Sequence, residues 1–519
     1  MITRTDLAVP PSFLNDKDFL YTSAAKKLSR DLSEITAVIP ERRSIDARGR
    51  YPLYIISCSV FINETPKDTD HTIQYNHVKD NDKKVIIVGF GPAGIYASLR
   101  LIELGIKPII FERGKDVQAR RRDLRAIQQL DTVNPDSNYC FGEGGAGTYS
   151  DGKLYTRATK RGDTRKILSI LVQHGADADI MLDSHPHIGS NKLPKIIQGV
   201  RETIIRSGGE VHFNSKVTDL IIKNETVKGV VVNESEEYIA DAVIAATGHS
   251  ARDIFYMYHK HKILLEPKSF AMGVRIEHPQ ELINKVQYHT EVKDPNLPSA
   301  SYNIACNFDG KGVYSFCMCP GGIIVPAATA PGEVVVNGMS LSKRDSPYAN
   351  SGLVVAVDER DWAKYDGEYP FSALHLQMEV EHLAFELANK SQKAPAQRLT
   401  DFMSNRLSES LPPTSYIPGL TSAPLHEALP GFIVKALQHG IVIFNKIMKG
   451  YYSESAQIVA SESRTSSPIR VVRNRESFEN ATIKGLFPAG EGAGYAGGIV
   501  SAAIDGENCA NAVAKFINA

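Results

Sequence analysis

Between Lys83 and Glu112 the chain runs apolar, then glycine-rich, then amphipathic, then apolar again. VIIV (85–88) is a continuous apolar run, as a strand buried on both faces of a parallel sheet requires. Ile95, Leu99 and Ile102 then recur at helical spacing, Gly105 stands where that helix ends, and PIIF (108–111) closes a strand–helix–strand unit. Upstream, Ser23–Leu32 predicts a helix, and Tyr51–Ile62, rich in β-branched and aromatic residues, predicts a strand. ERRSIDARGR (41–50) between them reads as a solvated hairpin end. The polar stretch 64–82 reads as a linker. An α/β alternation continues to Ala246, and near Ser269 the texture changes. There GVYSF, GIIVP and EVVVNG, separated by Gly and Pro, predict an antiparallel sheet. Phe371–Ala388 and Gly431–Met448 have helical periodicity, and the last forty or so residues return to an α/β texture. The expectation is an α/β fold: a Rossmann-like domain (83–250, completed by 483–519), an inserted mixed or antiparallel α+β domain (251–482), and a small α+β unit (1–63).

Composition adds limits. A chain of 519 residues exceeds one compact core. Lys plus Arg and Asp plus Glu are equal at 59 each, so the overall field favours neither nucleic acid nor an anionic membrane. No apolar run is long enough to span a bilayer. The start lacks a basic segment followed by an apolar one, and six scattered cysteines do not make a disulfide scaffold. A cytoplasmic protein is expected.

Gly89-x-Gly91-x-x-Gly94 falls at the junction of the first strand and helix. Gly89 permits the tight turn, Gly91 lets a pyrophosphate approach the backbone, and Gly94 lets helix and strand pack. The helix start, with Pro92 and Ala93, offers free N–H groups and the positive end of the dipole to phosphates. Glu112, followed by Arg113, stands where a carboxylate can accept hydrogen bonds from adenosine ribose hydroxyls. This motif alone does not separate FAD from NAD. Three further segments do: FGEGGAGTYSDGKL (141–154), Ala246-Thr247-Gly248 closing an apolar strand, and GLFPAGEGAGYAGGIVSAAIDG (485–506).

With these segments the chain resembles the two-dinucleotide-binding-domain flavoprotein superfamily, which includes glutathione reductase, thioredoxin reductase and the succinate dehydrogenase group. Its nearest resemblance is to a bacterial family described as FAD-dependent dehydrogenases of unknown substrate. That resemblance rests on RRSIDAR, GFGPAG, GEGGAGTYSDGKL, FCMCPGG, VNGMS, SRTSSPIR and PAGEGAGYAGGI. It implies FAD held by Gly89, Gly91, Pro92, Ala93, Gly94, Glu112 and Arg113. It adds Gly144, Gly145, Ala146, Gly147, Thr148 and Lys153 of the second loop, Val217, and Ala246, Thr247 and Gly248 of the A-T-G strand end. In the last segment it implies Gly490 and Glu491, the latter on the ribitol, and Gly497, Gly498 and Ile499, where a helix start faces the flavin pyrimidine ring. No histidine motif for covalent flavin is recognisable, so FAD is expected to be non-covalent. No second G-x-G-x-x-G follows Gly248, so NAD(P)H is expected only as a transient reductant.

The inserted domain would then cover the flavin. Cys317 and Cys319, at strand spacing, would share a face, either as redox-active thiols or as two small buried side chains; the second is the expectation. His249 is a candidate acid or base, or a turn histidine with a structural hydrogen bond. Arg464 is a candidate for a substrate carboxylate or the FAD phosphates, or part of a structural loop. His185 and His187 make an incomplete ligand set, and no metal is expected. The function that follows is an FAD-dependent oxidoreductase with hydride transfer at flavin N5 and a small-molecule substrate. The alternatives are an RNA-acting flavoprotein, with RRSIDARGR as its RNA contact, and a redox-silent FAD scaffold. Oligomeric state is left open.

Overall fold

The computed structural model describes residues 1–66, 72–79, 83–156 and 160–518. At its centre lies a five-stranded, all-parallel sheet in the order Leu486–Pro488, Ala242–Ala245, Lys84–Val88, Lys107–Phe111, Glu210–His212. Its strands are apolar where both faces are covered, while the edge strand Glu210–His212 is half-buried and polar. On one side lie the helices Pro92–Glu103 and Ile499–Asn518. On the other lies an antiparallel meander, Val217–Lys223, Thr226–Val232 and Glu236–Ile239, whose Val217, Leu220 and Val227 pack with Ile86, Val88 and Val243. The two helices touch through Gly506: a Cβ there would lie 2.1 Å from the Ala93 carbonyl oxygen.

Between the two parts of this sheet the chain builds a second, seven-stranded sheet. Its order is Ala305–Phe308, Lys311–Cys319, Tyr348–Val357, Phe270–Pro279, Gln457–Glu462, Ala394–Arg398, Leu420–Ser422. All neighbours are antiparallel except the last pair, which is parallel. The helices Ser372–Leu387 and Gly431–Ile447 occupy the two periodic segments read from the sequence. The architecture is α/β, a Rossmann-like sheet with a mixed-sheet second unit.

At the N-terminus, Ile2–Val9, Leu53–Ile62 and Ile35–Asp46 form an antiparallel sheet with Leu53–Ile62 in the middle. Its apolar face joins the second unit's core in one cluster, and the Tyr54 hydroxyl donates to the Asn296 carbonyl at 2.7 Å. Two expectations shift here. The helix runs Lys17–Leu28, because the Asp16 side chain caps it by accepting from Phe19 N and Ser29 ends it in a left-handed conformation. Arg42 and Arg43 sit within the strand Ile35–Asp46, not on a hairpin end. Arg43 pairs with Asp183 at 2.7 Å and Asp179 at 2.8 Å, and Arg42 donates to the Ser184 hydroxyl at 2.9 Å. Of the stretch read as a linker, 67–71 and 80–82 lie outside the described residues. In the remainder, Val78 N donates to Ser207 O at 2.9 Å, tying the segment to the nucleotide-type domain.

Candidate cofactor and active site

The strand Lys84–Val88 ends at Gly89, whose φ is +100° and whose Cβ, if present, would lie 2.6 Å from the Ala246 carbonyl oxygen. Only glycine fits there. A Cβ on Gly94 would lie 2.0 Å from Gly89 O, so this residue serves helix–strand packing and does not face the cavity. Gly91 differs: the nearest atom to its Cβ direction is 3.8 Å away, and that side opens into the cavity. Gly91 caps the helix and Pro92 begins it, so the first-turn N–H groups are free to meet an anion.

The second glycine loop folds against the first, with Gly144 N donating to Phe90 O at 2.8 Å. It is braced from behind by Arg120, which is fully buried and donates to the carbonyls of Asn138, Tyr139, Glu143 and Gly145 at 2.7–3.0 Å. Sequence reasoning missed Arg120, because its partners lie on a loop without regular spacing. Gly145, Ala146 and Gly147 line the cavity. Gly144, Thr148 and Lys153 do not. Thr148 donates to the Glu143 carbonyl, and Lys153 reaches the carbonyl of Met318.

Glu112 is buried at the end of its strand and lines the cavity. Its Oε2 accepts from Phe90 N at 2.8 Å, and its Oε1 from Gly114 N and Gly142 N, both at 2.9 Å. A carboxylate offers about four lone-pair positions. Three are used to join both glycine loops to the strand end, which leaves one for a ligand hydroxyl. Beside it Arg113 stacks 4.5 Å above the Phe141 ring and pairs with Asp253 at 2.8 Å; Phe111, Ser215 and Val217 complete that end.

At the opposite end the last glycine segment enters. Gly490 N donates to Asp505 at 2.7 Å, and Asp505 is held by Arg473 at 2.6 and 3.0 Å. This bracket leaves Glu491 facing the cavity, with no hydrogen bond from its carboxyl to another described residue. Burial pushes that carboxyl up to about 7, with Lys268 opposing. Gly497 and Gly498 stand at the start of the helix Ile499–Asn518; a Cβ on Gly497 would meet nothing within 4 Å, and one on Gly498 only Ser501 Oγ at 3.9 Å. Ala246, Thr247, Gly248 and Ile499 also line the cavity.

Phe316, Cys317, Asn337, Arg464 and Thr465 form the wall contributed by the second unit. Arg464 is spent within that wall. It donates to Glu381 at 2.9 and 3.0 Å, to Glu333 at 2.7 Å and to Thr329 at 2.7 Å. Arg252 completes the box, at 2.6 Å from Glu333 and 2.7 Å from Glu381. Against their burial, the two guanidiniums hold the Glu381 carboxyl below its usual range. His249 lines the cavity beside them; burial, then the charges of Arg464 and Arg252, push its imidazole down to about 3, so it is neutral, and its Nδ1 is buried without a partner. Cys317 and Cys319 do not continue regular strand alternation. The register slips between Phe316 and Cys319, and Cys317 takes a left-handed φ of +44°.

The cavity encloses about 1380 Å³ of non-atom space, its open mouth included. Its features fit FAD: two helix starts, a carboxylate with a spare lone pair, a half-buried carboxyl without a hydrogen-bond partner among the described residues, and glycines open where a cofactor would lie. Among the described residues no group of His, Cys, Asp and Glu is placed to hold a metal, and no helix is long and apolar enough to cross a membrane. His187 instead bonds the Ser340 hydroxyl at 3.0 Å, and His185 packs on Tyr155.

Comparison with known proteins adds the following. The family described as "FAD-dependent protein, C-terminal domain-like" matches residues 269–465, and a domain of unknown function matches residues 1–61. An uncharacterized protein of Clostridium beijerinckii is 40% identical over 511 residues, 95% of each chain. Among solved structures, a geranylgeranyl bacteriochlorophyll reductase-like protein of Thermoplasma acidophilum is 13% identical, with a TM-score of 0.36 over 84% of this chain and 79% of that one. A flavoprotein/dehydrogenase of Cytophaga hutchinsonii is 12% identical, with a TM-score of 0.37 over the same shares.

Proposed function

Since the chain belongs to the bacterial family of FAD-dependent dehydrogenases of unknown substrate, we propose that it is an oxidoreductase. It holds FAD non-covalently in this cavity and acts on a small molecule admitted between the flavin and the second unit's wall. The observation that carries this reading is the cavity itself, where the starts of the helices Pro92–Glu103 and Ile499–Asn518 converge between Glu112 and Glu491.

FAD, when bound, supplies two-electron chemistry at its isoalloxazine ring. The chain supplies position and field. The N–H groups at the start of Pro92–Glu103 bind the pyrophosphate, with Gly91 allowing close approach. The free lone pair of Glu112 accepts a ribose hydroxyl, and the Glu491 carboxyl takes the ribitol hydroxyls. The start of Ile499–Asn518, with Gly497 and Gly498 on the cavity wall, would direct about half a positive charge towards the flavin and so favour negative charge on it. The Arg252–Glu333–Glu381–Arg464 box fixes the opposing wall. NAD(P)H, if used, enters through the open mouth as a transient reductant.

The test is direct. Purified protein should be yellow, and denaturation should release intact FAD and leave no flavin on the polypeptide. Colourless protein that takes up no added FAD would remove this reading.

A further inference from the structure

Two thiols of the second unit, Cys317 on the cavity wall and Cys319 behind it, are given no role by the proposed cofactor site. The strand Lys311–Cys319 pairs with Tyr348–Val357 at Phe316↔Gly352 and resumes at Cys319↔Asn350. One strand therefore spends an extra residue between the two pairings, which is a β-bulge. The left-handed φ of +44° falls on Cys317, a conformation that non-glycine residues seldom adopt. The bulge re-aims the chain so that Cys319 Sγ donates to the Cys317 carbonyl oxygen at 3.2 Å. Cys317 is half-buried, and its open side is on the cavity wall with Phe316 and Asn337; Cys319 is buried behind it.

The surroundings are cationic. The fully buried Arg275 places Nη2 3.6 Å from Cys319 Sγ and 2.6 Å from the Cys317 carbonyl. Lys153, the one basic residue of the second glycine loop, turns away from the FAD end and bonds the carbonyl of Met318, between the two cysteines. The acidic groups nearby are each matched: Glu462 with Arg275 at 2.6 Å, and Asp151 with Lys153 at 3.3 Å and Arg344 at 2.9 Å. Glu491 lines the same cavity as Cys317 and has no matched cation among the described residues within hydrogen-bond reach. The two sulfurs are therefore unequal. The neighbouring Cys319 thiol, then Lys153 and Arg275, hold the Cys317 thiol well below its ordinary range against its burial, whereas burial pushes Cys319 up. A thiolate-forming sulfur on the cavity side, backed by a protonated neighbour, is the arrangement that thiol–disulfide exchange uses.

We propose that Cys317 and Cys319 form a redox-active dithiol that exchanges two electrons with the flavin, Cys317 being the sulfur that faces it and that a thiol or disulfide substrate reaches. This rests on the reading of the cavity as an FAD site. In the oxidative direction the Cys317 thiolate and the Cys319 thiol form one S–S bond and give up two electrons and one proton. FAD accepts them with one further proton from solvent and becomes FADH2. In the reverse direction FADH2 opens the disulfide. An external dithiol that reduces the disulfide by exchange at Cys317 is itself oxidised to its disulfide, and the net reaction is the reduction of FAD.

The experiment uses the FAD-loaded full chain under anaerobic conditions, with dithiothreitol as the probe. Dithiothreitol should bleach the flavin of the parent, and Cys317→Ser and Cys319→Ser should each slow that bleaching at least 100-fold. Photoreduction should bleach all three proteins, which shows that the flavin itself is intact. Independently, denaturation of the oxidised parent should expose two fewer titratable thiols than the six cysteines of the chain, and all six after reduction. That thiol count needs no variant, so it decides the matter even if a serine variant fails to fold. Six free thiols in the oxidised, FAD-loaded parent, or bleaching of both variants at the parent rate, would overturn the dithiol while leaving the flavoprotein reading standing. A parent that takes up no FAD would overturn both.

Discussion

Changing Glu112 to Gln tests the cavity reading at its most constrained point. The carboxylate accepts from Phe90 N, Gly114 N and Gly142 N at 2.8–2.9 Å, two of the three on Oε1. Glutamine keeps one oxygen and one NH2 group. The oxygen serves the two-donor side, so the NH2 is turned towards Phe90 N, donor against donor, and the acceptor position left for a ribose hydroxyl is weakened with it. A hydrogen bond to a charged group contributes about 1.5–3 kcal/mol. At 1.4 kcal/mol per tenfold, the loss of that one acceptor predicts FAD binding weaker by roughly 10- to 150-fold. Stranding the Phe90 N–H costs the cofactor-free protein a further amount of about 1–3 kcal/mol. Flavin fluorescence titration gives the first quantity and urea unfolding of the cofactor-free protein gives the second. A Kd for FAD within twofold of the parent would show that the carboxylate only joins the two glycine loops and that the ribose lies elsewhere.

The other expectations are these. Gly498→Val meets no protein atom closer than Ser501 Oγ at 3.9 Å, so the variant should unfold at the parent temperature yet lose FAD or hold it at a lower reduction potential; normal content and potential would show that this helix start does not face the flavin. Arg464→Met leaves the fully buried Glu381 with Arg252 as its remaining cation, and should cost about 3–5 kcal/mol in chemical unfolding; a loss below about 1 kcal/mol would mean that the box is not a structural unit. The Glu491 carboxyl rises from 4.5 to about 7 on folding, so between those values the folded cofactor-free chain binds more protons than the unfolded one. Its contribution is present at low pH and lost as pH climbs through about 7, and Glu491→Gln should flatten that part of the stability profile; an unchanged profile would refute the burial argument. With Arg43 paired to Asp179 and Asp183 and Arg42 bonded to Ser184, no salt-sensitive RNA binding is expected; binding that vanished in an Arg42→Ala, Arg43→Ala variant would restore the RNA reading.

What could be read from the sequence was what a short stretch decides by itself. The unit from Lys84 to Glu112 was legible because apolar runs, glycine spacing and helical periodicity are all local. The start of the first helix was misplaced although its cap, Asp16, was in plain view. Roles set by distant partners were not legible. Whether Arg464 met a ligand or a carboxylate depended on Glu381 and Glu333, which lie 83 and 131 positions away. Lys153 reads as one of the FAD-holding residues because it lies in the second glycine loop, yet its amine bonds the carbonyl of Met318, 165 positions away. The bulge at Cys317 depends on how two strands slip against each other, which one strand's sequence does not record.

The parallel sheet also has a history in time. Its strand Leu486–Pro488 and the helix Ile499–Asn518 close on the strand Ala242–Ala245 and the helix Pro92–Glu103 only after the whole second unit has been made. At about 5–20 residues per second a ribosome needs on the order of tens of seconds to cross that stretch. Throughout it the Ala242–Ala245 edge, fully buried in the finished protein, is an open template for pairing with another chain. Seven of the residues that line the cavity, from Ala489 to Ala502, are missing for the same interval, so on the proposed reading FAD is captured only after they have been made. A cell short of FAD would therefore accumulate finished chains whose last strand and helix dock without a ligand to hold them, and those chains should be the ones that proteases and aggregation remove first.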